Sequence, residues 1–250
     1  VTIRVGPDEL SSWWQRMTTD DPPFLLGLPL RPDPAHRPPP APVATALRTL
    51  ACADHHLDIR FTGPASRPVV GLGGAHGNDG VIAVRPDAAG PIELLRMDAS
   101  RVAATLVGLL GPVRPAVAPE VNIPAEVLDQ ACAAAGDGDP WTGSPWILSD
   151  QLVVLGVPRR DATALARMLS GIDFGGQLGI TDRRGRGEVR GPWVIGFVRN
   201  PEQRYAVLVR RAGTVTVSPT DAARLLRHWG ELVDHPGPAL SHPGAGHRAK

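Results

Sequence analysis

GLGGAHGNDG, residues 71–80, places five glycines in ten positions directly after the apolar Pro68-Val69-Val70. A dinucleotide fingerprint needs G-x-G-x-x-G running into a helix, so that a pyrophosphate meets the free N–H groups of the first turn. Here Gly71-Leu72-Gly73 is followed by His76 where the third glycine belongs, and Gly77 comes one place late. A phosphate-binding loop needs Gly-Lys-Ser/Thr, and the only lysine is Lys250. The next residues carry no helix signal but the β-branched run Val81-Ile82-Ala83-Val84. Asn78-Asp79-Gly80 tolerates positive φ and so marks a turn into that run. The stretch therefore reads as a flexible connection between early strands of a sheet, and a βα nucleotide unit is set aside.

Working outward, ALRTLACADHH (46–56) has helical character, and LDIRFTG (57–63) alternates apolar and polar residues as a half-buried strand does. GVIAVRPDAAGPIELLRM (80–97) reads as a hairpin turning at Asp87-Ala88-Ala89-Gly90. ASRVAATLVGLLGP (99–112) is a helix with Val102, Leu106, Leu109 and Leu110 in its apolar stripe. The same order then returns. DATALARMLSG (161–171) is a helix, GGQLGITD (175–182) a strand, and PWVIGFVRNPEQRYAVLVRR (192–211) a hairpin turning at Asn200-Pro201. SPTDAARLLRHWGELVD (218–234) closes it as a helix with Ser218 as N-cap, Pro219 at N1 and Asp221 at N3. Between the halves, 121–140 reads as a helix ending at Gly136, and 149–169 as two helical pieces broken at Gly156-Val157-Pro158. The expectation is one α+β domain over 1–234. It has a central antiparallel sheet, packed helices and an internal pseudo-two-fold repeat of about 43–112 and 160–234.

Composition sets the function classes. The 250 residues carry a net charge of +1, with 42% hydrophobic and 20% charged residues, which gives no overall bias toward nucleic acid, membrane or acidic substrate. The longest apolar run falls well short of the roughly 20 residues a membrane span needs, and Asp8, Glu9, Asp20 and Asp21 interrupt any leader-like start. Cys52 and Cys132 are distant from each other and read as two small buried thiols of a reducing compartment. A cytoplasmic protein is expected. LRPDPAHRPPPAP (30–42) reads as an exposed loop and 235–250 as a disordered tail.

No group of residues assembles into an active site. In Asp54-His55-His56-Leu57-Asp58 the adjacent histidines point different ways, and a solvated helix-to-strand junction accounts for them better than a metal does. RRGRGEVR (183–190) lacks interleaved aromatics and contains Glu188, so a basic loop between strands is preferred to a nucleic-acid contact through Arg183, Arg184, Arg186 and Arg190. There is no G-x-S-x-G elbow, and Asp137-Gly138-Asp139-Pro140 lacks the other ligands of a calcium loop. Trp141 and Trp146, in DPWTGSPW, read as packing on a nearby helix, with an apolar partner contact as the other reading. Trp13-Trp14 reads as a buried helix face. No metal or cofactor is expected.

The passage GGQLGITDRRGRGEVRGPWVIGFVRNPEQRYAVLVRRAGTVTVSPTDAARLLRHWGELV (175–233) resembles the EspG proteins, chaperones of type VII (ESX) secretion systems. It looks like their G-Q-x-G strand, basic turn, hairpin and closing helix. LDIRFTG, the DASRVAATLVGLL helix and LGVPRRDATALARML resemble other parts of that family, over about residues 43–234, with a weaker match at Val1–Val5. The Pro-rich 30–42 stands where family members usually carry a longer helical stretch.

The resemblance implies a central antiparallel sheet flanked by two helical bundles and a non-enzymatic role. It also implies binding of the tip of a helical-hairpin PE/PPE-like or WXG-type secretion substrate, without nucleic acid or membrane insertion, and leaves a homodimer open. By that resemblance the expected contacts lie in the 71–80 loop, at Leu72, His76, Asn78 and Asp79, and near Trp141 and Trp146. The alternative is a small-molecule or nucleotide-binding enzyme that uses the 71–80 loop.

Overall fold

Val81, Ile82, Ala83 and Val84 are all buried, so the strand carrying them must be covered on both faces. The computed structural model describes residues 2–18, 23, 26–28, 37–63, 66–87, 90–135, 144–183, 189–191 and 194–234. The tail expected over 235–250, and residues 30–36 of the Pro-rich segment, lie outside the described residues.

The first half runs β1 (Thr2–Val5), α1 (Pro7–Met17), α2 (Ala41–Ala51), β2 (His55–Gly63), β3 (Ser66–His76), β4 (Asp79–Arg85), β5 (Ile92–Asp98) and, after a 3₁₀ turn, α3 (Val102–Gly108). The second runs β6 (Val121–Pro124), α4 (Ala125–Ala135), α5 (Pro145–Val154), α6 (Arg159–Leu169), β7 (Phe174–Asp182), β8 (Val189–Arg190), β9 (Ile195–Arg199), β10 (Tyr205–Arg211), β11 (Thr214–Pro219) and α7 (Ala222–Asp234). The strands form one sheet in the order β1-β5-β4-β3-β2-β7-β9-β10-β11-β6, with β8 paired to β7, and every strand pairing is antiparallel. β2 and β7 meet at its middle.

Strand alternation sends side chains to two layers. From β4, Ile82 and Val84 join a core with Val102 and Leu106 of α3 and with Leu225 and Trp229 of α7. Val81 and Ala83 join Trp14 of α1 and Leu47 and Leu50 of α2 on the opposite face. On that same opposite face, farther along the sheet, Ala206, Val215 and Val217 pack under α4, α5 and α6. The α+β sheet flanked by helices is therefore present. α3 and α7 cover one face, and two separate helical groups stand on the other.

The glycine run belongs mostly to strand. Gly71 to His76 form the end of β3, and the connection shrinks to Gly77-Asn78, where Gly77 has φ 59°. Asn78 still marks the turn, but the glycines before it serve packing. A Cβ on Gly73 would lie 2.5 Å from Val102 Cγ1 and 2.8 Å from Leu106 Cδ1, and one on Gly80 would lie 2.5 Å from Val102 Cγ2. These absent side chains let α3 lie flat on β3 and β4.

Three further readings change. Ser218 is a buried strand residue opposite Val207, because pairing with β10 extends β11 to Pro219. The helix is capped instead by Asp221, whose Oδ1 accepts the Arg224 N–H at 2.8 Å. Cys132 is buried as expected, but Cys52, just past α2, is exposed. α2 starts at Ala41 inside the Pro-rich segment, with Pro42 in its first turn, where a missing N–H costs nothing.

Gly73→Val should overpack the α3 contact and lower unfolding free energy by about 2 kcal/mol or more in urea titrations. By contrast, Ala212 sits at φ 47° in the β10–β11 turn. Ala212→Gly should therefore raise stability, by about 0.5–1 kcal/mol in the same assay.

Candidate partner-binding surface

On the face that carries the two helical groups, α2 packs across β3, β4 and β5, while α6 packs across β9, β10, β11 and β6. Between them the sheet itself forms a floor. The registers align Val70 of β3, Arg60 of β2, Gln177 of β7, Gly196 of β9 and Leu208 of β10 in one row across five strands. All five are partly exposed. A second row, toward the β2–β3 connection, holds Thr62 and Gly175.

The floor glycines differ from those under α3. A Cβ on Gly196 would approach nothing nearer than 3.5 Å, and one on Gly175 nothing nearer than 3.7 Å. Internal packing does not require either of them, so their effect is to leave the floor low.

One wall is held by a cation. Arg183, next after β7, donates from one terminal nitrogen to the carbonyls of Leu50 (2.9 Å) and Ala51 (3.0 Å), satisfying the open C-terminus of α2. Its guanidinium also stands over the Trp14 ring, 5.8 Å from the centroid. His56 Nε2 donates to the Leu50 carbonyl at 2.8 Å. Burial pushes its pKa down to about 4, against the opposing pull of that hydrogen bond and with the help of the Arg183 charge.

The EspG family model matches residues 34–229. The chain belongs to the EspG family. Among solved structures, the Mycobacterium tuberculosis type VII secretion system chaperone EspG5, solved in complex with a PE25–PPE41 dimer, has a similar fold. Its TM-score is 0.71 at 16% sequence identity, covering 96% of this chain and 98% of that one. No curated protein matches the sequence.

In this EspG-family chain the residues singled out from sequence do not converge on one place. Leu72 is fully buried under α1 and α2, and so takes no part in the surface. His76, Asn78 and Asp79 are exposed at the β3–β4 turn, where Asp79 meets Arg96 at 3.6 Å. Trp141 lies outside the described residues. Trp146 stands on α5, 79% exposed, and so does not pack on a neighbouring helix. Its surroundings continue the patch: Ile147, Val153 and Val154 are exposed too, while Leu148 and Leu152 hold α5 to the core. The signal was present in PWILSDQLVV, which is apolar on all sides of a helix and so cannot bury every apolar side chain on one face.

The histidines form no ligand pair. His55 lies 3.8 Å from Asp182, His56 is buried beneath α2, and the described residues contain no group of three or more metal-binding side chains. The basic stretch does not stay a plain loop, since Val189-Arg190 form β8 against Thr181-Asp182. Among the described residues no helix is long and apolar enough to cross a membrane.

His56 also sets a pH dependence. Its folded pKa lies below the unfolded 6.5, so its contribution is whole above pH 6.5 and is lost as pH falls toward 4. The loss is on the order of 3 kcal/mol. Urea midpoints measured across that window should fall less steeply in His56→Gln than in the parent chain.

Proposed function

We propose that this protein is a cytoplasmic chaperone of a type VII secretion system. It holds the tip of a helical-hairpin PE/PPE-like substrate and keeps it soluble until delivery. This role involves no reaction and no cofactor. The observation that carries it is the partly exposed row of side chains across β3, β2, β7, β9 and β10, flanked by α2 at one end and α6 at the other. The flanking helices occupy the ends of the row, over β3 on one side and over β9 and β10 on the other, so the substrate tip meets the low middle of the floor at Gly175 and Gly196, beside the stems of Arg60 and Gln177.

The exposed apolar side of α5, with Trp146 at one end, is a second contact in this proposal. An isolated apolar patch on a helix is costly to leave in water unless a partner covers it. The strand order, mirrored about the β2–β7 seam, supports reading 43–112 and 160–234 as two copies of one unit, with the floor built by both. The EspG5 complex with PE25–PPE41 supports the choice of partner class.

Co-expression with a helical PE/PPE-like pair should give a complex that co-elutes on gel filtration. A Cβ at Gly196 meets nothing nearer than 3.5 Å, so Gly196→Trp should leave the thermal midpoint within a few degrees while weakening the complex about tenfold or more. A complex unaffected by Gly196→Trp would remove the floor as the site. A chain that captures no such pair would remove the chaperone reading.

A further inference from the structure

Several arginines on or beside the sheet's second half are matched to a carboxylate. Arg199 meets Asp173, Arg210 meets Asp129, Arg211 meets Glu231 and Arg224 meets Glu120. Three arginines of α6 are not matched in this way. Arg159, Arg160 and Arg167 line a shallow groove of about 570 Å³ between α6 and the preceding segment Val117-Ala118-Pro119, with no acidic side chain in its lining. Among the described residues none of the three has a carboxylate within ion-pair distance.

Their placement also opposes the helix that carries them. Arg159 and Arg160 occupy the first turn of α6, where the positive end of the helix dipole disfavours a cation by about 0.3–1 kcal/mol each. Pro158 at the N-cap supplies no side-chain acceptor, and Asp161 is the only acid of that turn. The chain accepts this cost without any internal ion pair to offset it.

Opposite the guanidiniums the wall is apolar, and Val117 is 69% exposed. Arg160 and Arg167 are seven residues apart, two turns along one side of α6, which sets their backbone positions about 10 Å apart. A peptide in the polyproline II conformation repeats its side-chain direction every three residues and rises about 9 Å over them, so side chains three apart match that distance on one side.

We propose that this groove takes an acidic segment of a partner protein in the polyproline II conformation, with carboxylates three residues apart on Arg160 and Arg167 and apolar side chains against Val117 and Pro119. Arg159 widens the positive field at the groove's entrance. The site is separate from the sheet floor and does not depend on the chaperone reading. Apolar walls suit a peptide better than a nucleic-acid backbone, because no aromatic side chain lines the groove for bases to stack on.

The test is fluorescence anisotropy with the full chain and a short labelled peptide carrying Glu at every third position and Ala or Leu between. Binding should weaken steeply with added salt. The double variant Arg160→Glu/Arg167→Glu should lose about tenfold or more, while Arg101→Glu, on the other face of the sheet, should change nothing. Arg159→Glu should weaken peptide binding yet raise the thermal midpoint, because it repairs the helix end; a purely structural role for that arginine predicts the opposite shift. Peptide affinity unchanged in the double variant would overturn the proposal. So would tighter, equally Arg160/Arg167-dependent binding of a single-stranded oligonucleotide of the same charge, which would make the groove a nucleic-acid site.

Discussion

Eight residue pairs, from His55 opposite Asp182 to Thr62 opposite Gly175, hold β2 against β7, and the rest of the molecule is arranged around that seam. Each half contributes a run of antiparallel strands, and only at this seam do the runs become one sheet. The seam tolerates no side chain at Gly176, because a Cβ there would collide with the Arg60 carbonyl and with Phe197 and Phe61. Close approach of the two backbones in turn brings Phe61 and Phe174 together, ring centroids 5.1 Å apart, on the face that α3 and α7 cover. The same strands turn Arg60, Thr62, Gly175 and Gln177 to the other face, where α2 and α6 stand apart. Core and floor are thus two sides of one pairing.

Two kinds of glycine serve this arrangement in opposite ways. Gly71, Gly73 and Gly80 remove volume so that α3 can sit on the sheet, and each is required by a neighbour already in the chain. Gly175 and Gly196 remove volume where no internal neighbour asks for it. The first kind raises stability through contact, and the second keeps a surface available. Arg183 works at the border between these regions. It closes the C-terminus of α2, stacks over Trp14 and anchors the wall beside the floor from the end of β7.

The architecture was legible from the chain because its strongest signals are local. The turn at Asn78, the hairpin turn at Asn200-Pro201 and the Gly156-Val157-Pro158 break each require only short windows, and each matches an observed boundary. What local signals could not supply was pairing. Ser218 has the chemistry of an N-cap, but β10 claims it as a strand residue, and Asp221 takes the cap. β3 was hidden because its glycines resemble a loop in sequence, and only the neighbouring α3 gives them a reason to be strand. The floor row was invisible for the same cause. Val70, Arg60, Gln177, Gly196 and Leu208 share no motif and become neighbours only through register across five strands. Trp146 was recognised as notable, but its exposure followed from the all-round apolarity of α5 and not from the Pro/Gly residues around it.

The seam has a further consequence during synthesis. β2 is made long before β7, and until β7 leaves the ribosome one full edge of β2 has no strand beside it. Pairing residues so remote in sequence also makes closure of the sheet a late, slow event. For that interval the nascent chain presents the kind of open edge that invites pairing with other chains. His56, Asp58 and Arg60, on one side of β2, place polarity and charge on that edge strand, a common device against such encounters. A protein proposed to shelter another from aggregation thus passes through an aggregation-exposed stage of its own, and the polar side of β2 guards it there.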